Sequence, residues 1–145
     1  MIEDIETIIE IEAPRPRVWA AMTGPATVEA WLGSLQFRPA PGHVFYMQPD
    51  AARRATGDIA GATHCRIEHL EPPRRLVFTW DYPEAPTTSV AIRLSLITGG
   101  THVRLTHSGW SQFKGPQIQF IRDGLAEGWS EVALPSLRRL VEAGG

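Results

Sequence analysis

Thr98-Gly99-Gly100-Thr101 stands between two runs in which apolar and polar residues alternate, Ile92-Arg93-Leu94-Ser95-Leu96-Ile97 before it and His102-Val103-Arg104-Leu105-Thr106-His107 after it. Two glycines at such a junction predict a two-residue hairpin, because the turns that suit strand twist need positive φ. Centred on Gly99-Gly100, the register sets Thr98 opposite Thr101, Leu96 opposite Val103, Leu94 opposite Leu105 and Ile92 opposite His107. Those side chains share one face, apolar except for His107. Arg93, Ser95 and Ile97 lie with His102, Arg104 and Thr106 on a mostly polar side. A sheet dry on one side needs something to cover it.

Moving outward, the same period of two recurs. Ile5, Thr7, Ile9 and Ile11 form one side of a strand with Glu6 and Glu10 on the other. Leu76, Phe78 and Trp80 alternate with Val77, Thr79 and Asp81 in an aromatic strand of high β preference. Strands are also expected over Ser34–Arg38, His43–Gln48 and Gly57–Leu70, with Asp50–Thr56 and Tyr82–Thr87 as loops. Pro14 and Pro16 suit a first helical turn, and Val18, Trp19 and Met22 share the face of the helix that follows. Gly24 is expected to end that helix at positive φ. A second short helix carries Val28, Trp31 and Leu32 and stops at Gly33.

After Lys114-Gly115-Pro116 one long helix is predicted to run to about Val141. Ile118, Ile121, Leu125, Trp129, Val132 and Leu140 fall in one stripe at 100° per residue, with Leu137 at its margin. Pro135 should kink or restart the helix. Gly128 reads as a point where helix and sheet approach closely. The order of strand, two short helices, strands and terminal helix is an α+β pattern: a curved antiparallel sheet of about six or seven strands under one long C-terminal helix. Curvature leaves a gap between sheet and helix for side chains, water or a ligand.

Composition narrows the function classes. The 145 residues are the size of one domain, expected to span 1–145. Fourteen basic residues against sixteen acidic ones give a net charge of −2, against a nucleic-acid binder that relies on surplus Lys and Arg. The acidic start has no secretory pattern, and no apolar run reaches the roughly 20 residues of a membrane span. A single cysteine, Cys65, excludes an internal disulfide and suits a reducing, cytoplasmic setting. Cys65 and His69 share a strand face but are too few for zinc, so neither a metal nor a cofactor is expected. The Arg53-Arg54, Arg74-Arg75 and Arg138-Arg139 pairs read as solvated surface. Serine-hydrolase, dinucleotide and phosphate-loop motifs are absent from the sequence, and no catalytic residue is assigned.

Several segments together resemble a known family. Ile11-Glu12-Ala13-Pro14-Arg15-Pro16-Arg17-Val18-Trp19 is similar to the opening signature of the activator-of-heat-shock-protein-90-ATPase-homologue domains. Trp31-Leu32-Gly33, Pro41-Gly42, the Pro72–Trp80 run, Leu105-Thr106-His107-Ser108-Gly109, Gly128-Trp129 and Leu137 resemble later motifs in the same order. The resemblance implies the helix-grip fold of the START-like (SRPBCC, birch-pollen-allergen-like) superfamily. For activity it implies little, since most bacterial members carry no assigned reaction.

The expected site lies between sheet and terminal helix. His107, polar on an apolar face, needs a partner for its ring nitrogens: a neighbour in the protein or a ligand. Trp31, Trp80, Trp110 and Trp129 are candidate pocket walls, with core filling the alternative for Trp129. Phe78, Ile92 and Leu105 complete the expected ligand-binding set. The first reading is a domain that binds a small apolar or aromatic ligand without a reaction. A chaperone-interaction module, implied by the resemblance, is the second. A polyketide cyclase/aromatase-like enzyme of the same superfamily, with His107 as acid or base, is the third. Sheet edges and short helices permit a homodimer without requiring one.

Overall fold

The structure, a computed structural model, describes residues 2–81 and 86–144. Seven antiparallel strands form one curled sheet in the order β1-β7-β6-β5-β4-β3-β2. They are β1 (Ile5–Ile11), β2 (Ser34–Leu35), β3 (Val44–Met47), β4 (Thr63–Glu71), β5 (Arg75–Trp80), β6 (Thr88–Ile97) and β7 (Gly100–Ser108). Helices α1 (Arg15–Thr23) and α2 (Pro25–Leu32) follow β1. The terminal helix, residues 117–143, consists of α4 (Gln117–Gly128), a π turn (Trp129–Ala133) and α5 (Leu134–Ala143), and packs on β1, α1 and α2. This is the helix-grip α+β arrangement. Most of the segment expected as a loop over Tyr82–Thr87 lies outside the described residues.

The central hairpin keeps its faces but not its expected register. Leu96 faces Thr101, Leu94 faces Val103, Ile92 faces Leu105, and His107 faces Val90. The turn residues are Thr98 and Gly99, with positive φ at Gly99 alone. Gly100 belongs to β7, where an added Cβ would collide with the Ile11 carbonyl oxygen. One glycine bends the chain, and the other lets β1 approach. Because the slip is an even number of residues, every side chain keeps its face, although Leu96 near the turn is exposed.

Other expectations also change for local reasons. Asp50 caps a short helix, α3 (Ala51–Ala55), its carboxylate accepting from the Ala52 and Arg53 amides at 2.9 and 3.1 Å, where a loop was expected. Gly24 is extended rather than left-handed, and an added Cβ would press on the Thr27 side chain. The first strand after α2 is only Ser34–Leu35, and β4 starts at Thr63 rather than Gly57. A bulge between Ile67 and His69 breaks the alternation of β4, so Cys65 is buried while His69 is exposed.

The largest correction concerns the terminal helix. The π turn directly before Pro135 accommodates an extra residue and rotates the following face by about 100°. From the end of the turn onward Ala133, Leu134, Leu137 and Val141 are buried, whereas Val132 within it is exposed and Leu140 beyond it half-buried. Leu137 is thus central rather than marginal. Gly128 makes no close approach: an added Cβ would meet nothing within 4 Å.

Candidate functional site

His107 is fully buried on β7 and both its ring nitrogens are engaged. The indole N–H of Trp129 donates to Nδ1 at 3.2 Å, and Nε2 lies 2.8 Å from the Thr88 hydroxyl oxygen. An indole nitrogen only donates, so Nδ1 carries no proton and the neutral ring is protonated at Nε2. Nε2–H then donates to Thr88, whose hydroxyl donates to the Trp80 carbonyl at 3.2 Å. The Trp110 indole N–H closes the arrangement on the His107 carbonyl at 3.1 Å. Burial pushes the imidazole down to about 3, so it stays neutral near pH 7.

Three indoles occupy the space beside this histidine. Ring centres of Trp110, Trp80 and Trp129 lie 4.8, 5.5 and 6.2 Å from the imidazole. Trp80 also packs edge-on to Trp129 at 5.4 Å. The open volume expected next to His107 is therefore filled by side chains. Phe78, Ile92 and Leu105 are fully buried behind them. Phe78 packs edge-on to Phe45.

Open space lies further out, along one flank of the terminal helix. A cleft of about 440 Å³ is walled by Trp80, Trp110, Phe113, Ile118 and Ile121. A second, of about 390 Å³, lies among Trp31, Met47, Trp80, Leu125, Gly128 and Trp129. Trp80 borders both. Four predicted tryptophans thus line the clefts, whereas His107, Phe78, Ile92 and Leu105 line neither. The indole nitrogens of Trp31 and Trp80 are buried with no hydrogen-bond partner among the described residues. Met47, Phe113 and Leu125 were missed by the sequence reading. For Leu125 the available signal was the apolar helical stripe, which extends to Ile121 and Val132 at 45% and 63% exposure and is too long to be all core. Met47 on β3 and Phe113 before the helix lie outside it.

Among the described residues no group of His, Cys, Asp and Glu could hold a metal ion. Cys65 and His107 sit three strands apart in the sheet. Burial, followed by the charge of Asp81, pushes the Cys65 thiol strongly up, so it is no nucleophile.

Residues 12–142 match the family described as "Activator of Hsp90 ATPase homolog 1-like protein". The chain belongs to this family. Among curated proteins none matches it. Protein MLL2253 from Mesorhizobium loti is 27% identical with a TM-score of 0.81, 99% of each chain being covered. The Aha1 dimer from Colwellia psychrerythraea is 18% identical with a TM-score of 0.70, over 99% of this chain and 98% of that one. DynU16, a protein of the dynemicin biosynthetic locus, is 20% identical with a TM-score of 0.76, over 99% of this chain and 49% of its own. The last two share the fold. Among the described residues no helix of this family member is long and apolar enough to cross a membrane.

Proposed function

We propose that residues 1–145 act as one cytoplasmic domain that binds a small, largely apolar ligand carrying a hydrogen-bond acceptor. Its place is the groove formed by the two clefts along the terminal helix. The observation that carries this reading is Trp80: among the described residues it alone borders both clefts, and its buried N–H has no partner there. A buried donor left unpaired costs about 1–3 kcal/mol, which an acceptor on a ligand would recover. Either cleft falls within the roughly 300–1,000 Å³ of small-molecule sites. In this reading His107 is a positioning residue that holds Trp129 against the groove. A cyclase-type proton transfer by His107 has little support, since both nitrogens are occupied and the charged form is disfavoured.

Thermal-shift and native mass-spectrometric screening with aromatic ketones tests the proposal. Gly128→Leu would project a side chain into the second cleft, where a Cβ has open space. Binding by the natural chain that Gly128→Leu weakens is expected. No binding, or equal binding by both, contradicts it.

A protein partner is the second reading, favoured by Phe120, Ile121 and Val132, which stand exposed on the terminal helix. ATPase assays and pull-down with the host's heat-shock protein 90 distinguish it, and sedimentation tests a second copy of the chain.

A further inference from the structure

Five arginines that are scattered in sequence meet around clefts that share no lining residue with the tryptophan groove. Arg75 of β5 stands directly across from Arg93 of β6, which stands directly across from Arg104 of β7. Like charges facing one another on adjacent strands destabilise a sheet. Arg15, at the start of α1, and Arg74, in the β4–β5 turn, join Arg75 and Arg93 around a cleft of about 500 Å³. A smaller one of about 400 Å³ is lined by Arg75, Arg93 and Arg104.

Few carboxylates compensate. Glu71 lines the first cleft and pairs with Arg75 at 3.0 Å, and Glu6 pairs with Arg104. Arg15, Arg74 and Arg93 form no ion pair among the described residues, and their side chains make no hydrogen bond there. The Nε of Arg15 is buried without a partner among the described residues. The first turn of α1 carries no acidic residue, although the Glu142 carboxylate accepts the Glu12 amide just before it at 2.9 Å. A chain of net charge −2 has gathered unpaired guanidinium groups around one concavity.

We propose that this cleft binds a small molecule carrying a phosphoryl group of at least two negative charges. Guanidinium forks match phosphate oxygens in paired hydrogen bonds, and such an anion would offset the repulsion between the facing arginines. The site is separate from the tryptophan groove and does not depend on it.

Calorimetric titration of the full chain with inorganic pyrophosphate, adenosine diphosphate and adenosine tests the assignment. Pyrophosphate and the diphosphate should bind, more weakly as salt rises, and adenosine should not. Arg93→Ser and Arg74→Ser should each weaken binding by about tenfold or more, the scale of one charge-assisted contact. Arg138→Ser, outside both clefts, should leave it unchanged. Without anion, Arg93→Ser should melt no lower than the natural chain, since it removes a charge that faces two others. Failure of pyrophosphate to bind, equal weakening by Arg138→Ser, or binding of duplex DNA without pyrophosphate overturns the proposal. A drop in melting temperature for Arg93→Ser without anion also counts against it.

Discussion

Trp129 donates its indole N–H to Nδ1 of His107 at 3.2 Å, and this bond joins the terminal helix to the centre of the sheet. Protonating Nδ1 would set two donors against each other, which is a geometric counterpart of the burial that lowers the histidine's pKa to about 3.

Stability should therefore depend on pH through this residue. In the unfolded chain the imidazole takes up its proton near 6.5, whereas in the folded chain it does so only near 3. Between those values the unfolded state binds more protons, so stability is complete above about pH 6.5 and falls as pH drops, by up to about 1.4 kcal/mol per unit. Urea unfolding of the natural chain and His107→Gln at a series of pH values measures this. The loss should be shallower in the variant between pH 6.5 and 4.5, where carboxylate effects common to both cancel.

Removing only the indole donor isolates the bond. Trp129→Phe keeps most of the ring but leaves Nδ1 unpaired, and should cost about 1–3 kcal/mol. A double-mutant cycle with His107→Leu should show coupling. Additive losses would mean that Trp129 contributes packing alone.

The hairpin glycines should fail in different ways. Gly99→Ala forces a side chain into φ of 81° and should cost about 1 kcal/mol. Gly100→Ala should cost more, because its Cβ drives the Ile11 carbonyl, and β1 with it, away from β7. Unfolding by urea, with amide exchange along β1, separates the two.

Gly128→Ala should raise stability by about 1 kcal/mol. The helix gains propensity, and the new methyl group meets nothing within 4 Å. A lower melting temperature would show that the residue serves packing after all.

The sheet was legible because alternation is a local property. Ile5–Ile11 is a strand in both sequence and structure, and the inward set of β6 and β7 survived a register slip that parity makes harmless. The resemblance implied the helix-grip arrangement, and the structure supplied its strand order. What escaped were events that depend on partners distant in sequence: the carbonyl of Ile11 beside Gly100, the bulge that turns His69 outward, and the π turn that re-aims the helix beyond Trp129. For the candidate site, pattern could nominate Trp31, Trp80, Trp110 and Trp129 as walls. It could not show that the rings of Trp80, Trp110 and Trp129 fill the space at His107 and leave the clefts outside them. Nor could it gather Arg15, Arg74, Arg75, Arg93 and Arg104, because strand order is what brings them together.

Nuclear magnetic resonance of the indole N–H signals tests the central claim most directly, with 2-acetonaphthone and 2-ethylnaphthalene as probes of similar shape with and without an acceptor. Of the five tryptophans, Trp31 and Trp80 should respond to the ketone, moving downfield as their unpartnered donors find its oxygen. The ketone should bind about tenfold more tightly than the hydrocarbon, the scale of one hydrogen bond. Indole signals unmoved at saturating ketone, or equal affinity for both compounds, would contradict the account.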